Sequence, residues 1–380
     1  MTIHLRTFLL TAVAASVLAA SVLAASAFAA SAPTAPRAGA EETGQITSLR
    51  NGNIDLRLKH HIKKINGINM HYVEAGEGPL VVLVHGWPES WYSWRYQIPA
   101  LVKAGFHVVV PDMRGYGQTE APKDTKSYSL MRIVGDLVGL VHANNEEQAY
   151  LVGHDFGASA TWLAAQLRPD MFPAIAALSV PFTARAPMPP LEMLRNIPGN
   201  KMHYWTYFQK EGVAEAEFER DTRGTFIRLF SHGKADPSGR PFLMNKGDGF
   251  LTFQSVPDEL PKWLSEKDLE YITNEFRKTG FRGAFNWYRN IDQNWYDSAP
   301  LESAKIQQPA LFIAGSDDPV IANPNGEASL AALPNLVPQV TQVIIPHGSH
   351  WIQQEHSQEV NQALTEYFTK VQQKLNRSEN

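Results

Sequence analysis

The chain has 380 residues, 44% of them hydrophobic and 19% charged, with a formal net charge of −4 and no run of Lys or Arg. That is ordinary globular composition on a length that buries a large core, as one domain or as a core with an insertion. The mild, dispersed charge argues against a nucleic-acid partner or an anionic membrane surface, and the absence of cysteine excludes disulfides and thiolate metal sites.

The chain starts with a short segment containing Arg6, followed by an Ala-rich apolar run from Phe8 to Ala27-Phe28-Ala29. A basic start, an apolar stretch and a small-x-small end predict a secretory signal peptide over residues 1–29, cut after Ala29. The competing reading is an uncleaved anchor, but Ala and Ser make a weak membrane span. The expectation is therefore a secreted or periplasmic protein with no stable membrane insertion after cleavage. Residues 30–50, rich in Ala, Pro, Gly and Glu, read as a disordered leader.

From residue 58 an Asn66-Gly67 turn signal between polar-apolar segments predicts two antiparallel strands. Continuous apolar runs follow at Leu80–Val84, Phe106–Val110, Ala149–Val152, Ile175–Val180, Leu311–Ala314 and Val340–Ile345. Runs of this kind are the pattern of strands buried on both faces of a parallel sheet. Helical periodicity separates them, with Leu130, Ile133, Leu137 and Val141 on one face and Val360, Leu364, Phe368 and Val371 on another. The alternation predicts a doubly wound, mostly parallel α/β sheet over 51–182 and 301–380. Residues 183–300 break it with Trp, Tyr, Phe and Arg, and read as an inserted helical cap over the carboxyl ends of the strands.

Strand Ala149–Val152 runs into Gly153-His154-Asp155-Phe156-Gly157 and then into a helix. Small residues flanking one polar residue at a strand-to-helix turn are what a nucleophile elbow needs, because the backbone must turn sharply. The middle residue is Asp155 where serine is usual, and no Gly-x-Ser-x-Gly occurs in the chain, which disfavours a serine esterase. An aspartate attacking an sp³ carbon forms an alkyl ester, so the substrate needs a strained epoxide oxygen or a halide as leaving group. The bland alternative, an Asp that only caps the helix, does not ask for flanking glycines.

His85-Gly86-Trp87-Pro88 follows strand Leu80–Val84, and Pro88 allows a cis peptide. The backbone N–H groups of Trp87 and Phe156 are the expected oxyanion-hole donors. Two further strand ends carry Asp317 and Asp318, then His347 and His350, in the order nucleophile, acid, histidine. Spacing alone leaves both pairs open as base and orienting acid.

These motifs resemble the soluble epoxide hydrolases of the α/β-hydrolase superfamily over essentially the whole mature chain. HGWP at 85–88 matches the family's His-Gly-x-Pro loop and GHDFG at 153–157 its Asp elbow. The segments His203–Gln209 and Phe281–Asn290 look like its two cap-tyrosine regions. The resemblance implies the α/β-hydrolase fold, favours His350 and Asp318 over His347 and Asp317, and makes Tyr204 and Tyr288 the donors to the epoxide oxygen. Tyr207 is the decoy for Tyr204, three positions along one helix. His85, Pro88, Trp205, Trp287 and Trp351 are the expected substrate contacts. No cofactor or metal is implied, and the partner is a small apolar epoxide. Chemically, an opening epoxide leaves an alkoxide that a protonated phenol can supply, whereas halide needs no proton. The family often has Trp after the nucleophile, where this chain has Phe156. A haloalkane dehalogenase is the nearest rival, although Phe156 lacks the indole N–H of a halide pocket, and a low-turnover ligand receptor on the same fold is the other.

Overall fold

A computed structural model describes residues 41–51, 54–235, 243–254 and 256–378. The expected signal peptide, 1–29, and the first part of the expected leader lie outside the described residues. The rest of that leader is a strand: β1 (Glu41–Asn51) pairs antiparallel with β2 (Ile54–Ile65), which pairs with β3 (Ile68–Ala75) across the Asn66-Gly67 turn. The polar composition of 41–51 hides this because the ladder is built by main-chain groups, and an edge strand needs no apolar face.

Among the described residues the main sheet has nine strands, in the order β1-β2-β3-β5-β4-β6-β7-β10-β11. β4 (Leu80–Val84), β5 (His107–Pro111), β6 (Tyr150–His154), β7 (Ile175–Leu178), β10 (Ala310–Gly315) and β11 (Val340–Ile345) are parallel to one another. Every residue of β4, β6, β7 and β10 is buried, as expected for strands covered on both faces. β11 departs from that expectation. It is the edge of the sheet and only Ile345 is buried, in keeping with Thr341 and Gln342 in its middle.

Helix α1 (Gln97–Lys103), helix α2 (Leu130–Ala143) and helix α3 (Phe156–Leu167) cover the sheet together with the C-terminal helix Ser357–Ser378. α2 buries Ile133, Val134, Leu137, Leu140 and Val141, and the C-terminal helix buries Val360, Leu364, Phe368 and Val371. α3 buries mostly small side chains, among them Gly157, Ala158, Ala160 and Ala164, which lets its backbone approach the strands closely.

Between β7 and β10 no described residue adds to the main sheet. Short helices fill this stretch, with one ribbon the sequence did not suggest, β8 (Lys201–His203) paired with β9 (Leu243–Asn245). Buried rings of Phe208, Phe218, Phe226, Phe276, Phe281 and Phe285 hold these helices together. Aromatic side chains bury large areas with few rotors, so they order short helices that propensity alone would not hold.

Candidate active site

The sharp turn from β6 into α3 puts Asp155 in a conformation that L-residues rarely adopt, φ 54° and ψ −119°. Strain of this sort costs about 1–3 kcal/mol and persists only where the surroundings enforce it. Here they do. A Cβ on Gly157 would lie 2.1 Å from the Val84 carbonyl oxygen, one on Gly153 2.1 Å from the Gly157 carbonyl oxygen, and one on Gly86 2.4 Å from Asp155 Cβ. The Gly-x-Asp-x-Gly spacing is thus a steric requirement of three backbones passing each other.

The Trp87 N–H donates to Asp155 Oδ1 at 2.8 Å, and the Trp87–Pro88 peptide is cis. Phe156 is the first residue of α3, so its N–H has no carbonyl one turn back to bond. One carboxylate oxygen is therefore held by the Trp87 amide, and the other, Oδ2, lies 3.5 Å from His350 Nε2. Burial opposes the charge on Asp155, but the His350 hydrogen bond and imidazole and the Trp87 N–H outweigh it. Its carboxyl is held below the ordinary aspartate value, and the group is ionised at neutral pH.

His350 Nδ1 lies 3.2 Å from both oxygens of Asp318, which is fully buried and accepts a further bond from the Val320 N–H at 2.9 Å. Burial works against an imidazolium, yet Asp318 and Asp155 together raise His350 well above the ordinary histidine value. The alternatives left open by spacing are elsewhere. His347 is exposed, and Asp317 forms an ion pair with Lys234 at 3.2 Å.

His350 is also fixed through its main chain. Its N–H donates to the Gly233 carbonyl at 2.8 Å, and its carbonyl accepts from Ser179 Oγ at 3.0 Å and from His154 Nε2 at 2.8 Å. The other His154 nitrogen, Nδ1, meets Glu89 Oε2 at 2.7 Å. Glu89 is buried and collects Gly86 N–H, Gln353 Nε2 and Gln354 Nε2 as well. Burial opposes its charge, but His154 more than offsets this and holds the carboxyl below the ordinary glutamate value. Both ring nitrogens of His154 thus meet oxygen acceptors, one the Glu89 carboxylate and one the His350 carbonyl. Sequence reasoning missed this pair, although an acid directly after Pro88 in an apolar setting was a readable signal.

Tyr204 opens the short helix Tyr204–Tyr207, and Tyr288 lies on the helix Arg282–Arg289. Their rings meet edge to face at 5.6 Å and their hydroxyls are hydrogen-bonded to each other. Burial first, with the negative charge of Asp155 adding to it, raises both phenols above their ordinary value, so both keep their protons at neutral pH. Tyr207 instead donates to Glu217 Oε2 at 2.8 Å.

Asp155, His350, Tyr204 and Tyr288 line one narrow cavity of about 70 Å³, together with Trp87, Leu229, His232, Gly233, Phe250, Gln254, Pro319, Val320 and Trp351. Of the five expected substrate contacts only Trp351 is on this wall. His85 is fully buried, its Nδ1 on the Gly86 carbonyl and its Nε2 accepting from the Met113 N–H, so it ties two loops together. Pro88 is in the cis peptide behind Trp87. Trp287 donates to the Arg114 carbonyl at 3.0 Å, and Trp205 packs edge-on against His203. Larger hollows elsewhere, such as the one between Pro79 and Asn376, hold none of these groups. Among the described residues, no group of acids and histidines is arranged to hold a metal ion.

Comparison with known proteins agrees with this geometry. Residues 79–357 match the family model described as alpha/beta hydrolase fold. The chain is 41% identical to Epoxide hydrolase A of Mycobacterium tuberculosis over 309 residues, covering 80% of this chain and 95% of that protein. It is 38% identical to Epoxide hydrolase 2 of Siraitia grosvenorii, covering 83% of this chain and 99% of that protein. Among solved structures, Epoxide Hydrolase A from Mycobacterium thermoresistibile superimposes with a TM-score of 0.78 at 42% identity, over 82% of this chain and 98% of that one.

Proposed function

The chain belongs to the epoxide hydrolases of the α/β-hydrolase superfamily, and from that premise we propose that it converts an apolar epoxide and water to a vicinal diol through an ester on Asp155. In the first step Asp155 Oδ2 attacks a ring carbon and the carbon–oxygen bond breaks. The departing oxygen takes a proton from the Tyr204–Tyr288 pair. In the second step His350, oriented by Asp318, takes a proton from water, and the hydroxide adds to the ester carbonyl carbon. The Trp87 and Phe156 N–H groups hold the resulting oxyanion. Collapse releases the diol and returns the Asp155 carboxylate, and His350 keeps the proton taken from water, as at the start of the cycle.

The observation that carries this reading is the division of labour on Asp155. Oδ1 is bonded to the Trp87 N–H while Oδ2 lies 3.5 Å from His350, in the cavity that Tyr204 and Tyr288 also line. Ester formation also removes the Asp155 charge that helps keep His350 protonated, so the imidazolium gives its proton back to the tyrosine pair and becomes a base only once there is an ester to hydrolyse. The walls formed by Trp87, Leu229, Phe250, Val320 and Trp351 favour an apolar skeleton.

The test uses styrene oxide with three proteins. Wild type releases diol, Asp155→Ala releases none, and His350→Gln accumulates a species heavier by one substrate in intact-mass spectra. Diol formation at the wild-type rate by Asp155→Ala overturns the mechanism. Export through residues 1–29 belongs to the same proposal, and amino-terminal sequencing of the mature protein tests it, with Ala30 as the expected first residue.

A further inference from the structure

The cavity carries two polar side chains that the two-step reaction does not use. His232 follows the helix Thr222–Ser231, and its neighbour Gly233 is the residue whose carbonyl holds the His350 N–H. Its Nδ1 donates to the Arg228 carbonyl at 2.8 Å, which leaves Nε2 as the nitrogen open to a ligand, an acceptor in the neutral ring. Gln254 closes the turn Phe250–Phe253, beside the Phe250 ring that meets Tyr204 at 5.4 Å. Its Oε1 is buried and has no hydrogen-bond partner among the described residues. Both side chains line the same cavity as Asp155.

We propose that His232 and Gln254 form a polar subsite that selects epoxides bearing a hydroxyl group, that is, epoxy alcohols. A buried amide oxygen left without a donor costs about 1–3 kcal/mol, and a ligand hydroxyl recovers it. The unpartnered Gln254 oxygen accepts, so the ligand group that satisfies it must donate. Among the described residues the wall contains no Lys or Arg, and Asp155 is ionised, so a carboxylate at this place meets a like charge. The hydroxyl is read apart from the epoxide oxygen, which belongs to Tyr204 and Tyr288.

This inference rests on the epoxide-opening reading, and its experiment separates the two. Purified full-length protein is assayed on 1,2-epoxyalkanes of four to eight carbons, each with its terminal alcohol and terminal carboxylate counterparts. For the chain length that fits, wild type has kcat/KM about tenfold higher for the alcohol than for the alkane, a hydrogen bond's worth of discrimination. The carboxylate is the poorest of the three. In His232→Phe and in Gln254→Met, assayed separately, the alcohol-to-alkane ratio falls toward one. The ratio is internal to each protein, so a loss of folded material leaves it intact. A wild-type ratio of one or less at every length overturns the subsite with no variant needed, and so does a ratio that both variants retain. No diol from any compound overturns the epoxide-opening reading itself, and the subsite with it.

Discussion

His154 Nε2 donates to the backbone carbonyl of His350 at 2.8 Å, while His154 Nδ1 meets the buried Glu89 carboxylate at 2.7 Å. The residue before the nucleophile thus holds the loop of the base, and an acid from the loop of the oxyanion hole holds that residue. Glu89→Ala strands four buried donors, the His154 ring among them, for an expected loss of about 3–5 kcal/mol. At this size that lowers Tm by roughly 5 °C. Glu89→Gln keeps one acceptor and is milder. Since His350 loses its support, ester hydrolysis slows more than ring opening, and the covalent species accumulates during turnover in intact-mass spectra. An unchanged Tm in Glu89→Ala contradicts the account.

The tyrosine pair predicts a particular kinetic pattern. Tyr204→Phe or Tyr288→Phe leaves one hydroxyl on the departing oxygen and slows the pre-steady-state burst by about 10–100-fold. Losing both removes the proton source, for an expected loss of about 10³–10⁴-fold. Ester hydrolysis, measured after the burst, changes little, because Asp318, His350 and the Trp87 N–H are untouched. Equal effects on both steps in rapid-quench experiments argue against a role confined to ring opening.

Gly157→Ala is a test of the elbow's steric logic. The added carbon meets the carbonyl oxygens of Val84 at 2.1 Å and His85 at 2.8 Å, both backbone and unable to yield. Overpacking there moves either α3 or the Trp87 loop, and little soluble protein is expected, with activity lost in what remains. Gly247→Ala is the control. Its φ of +94° makes alanine strained, but nothing lies within 4 Å of the new atom, so a cost of about 1 kcal/mol is expected. Comparable yields and circular dichroism for the two variants sink the argument.

How much of this was readable in advance depends on what each position answers to. The elbow was legible because three backbones crowd one turn and only glycine fits, a constraint written in consecutive residues. The parallel strands were legible because β4, β6, β7 and β10 are buried on both faces and so read as unbroken apolar runs. β1 was not, since main-chain pairing with β2 leaves no side-chain period, and β11 is an edge whose Thr341 and Gln342 face outward. Trp205 and Trp287 illustrate the limit for sites. Each adjoins a cavity tyrosine in sequence, but one step along a helix turns a side chain by about 100°; the Trp205 indole packs on His203 within the cap, and the Trp287 indole reaches down to the Arg114 carbonyl and the Tyr116 ring of the core. His232 and Gln254 sit at helix and turn ends whose place on the wall depends on the tertiary path of the cap, so no motif announces them.

The coupling of His350 to two carboxylates gives a prediction in pH. In the folded protein its titration lies well above the ordinary histidine value of about 6.5, held there by Asp318 and by Asp155 against the effect of burial. Asp155→Asn removes one of the two charges, so the His350 midpoint, followed by NMR of the ring carbon, moves down. The same change mimics ester formation, when the imidazole must give up its proton to become a base. Stability follows the same charges. A raised histidine stabilises fully below its unfolded value near 6.5, and that share is lost as pH rises through the folded midpoint. A depressed aspartate stabilises above its unfolded value near 3.9, and that share is lost as pH falls through its folded one. The Asp155–His350 contribution is therefore full between about pH 3.9 and 6.5 and declines on either side. Urea unfolding of wild type and Asp155→Asn at pH 5 and at pH 9 reads it directly. The variant's deficit is larger at pH 5 than at pH 9, and an equal deficit at both means that the two side chains do not share a charge.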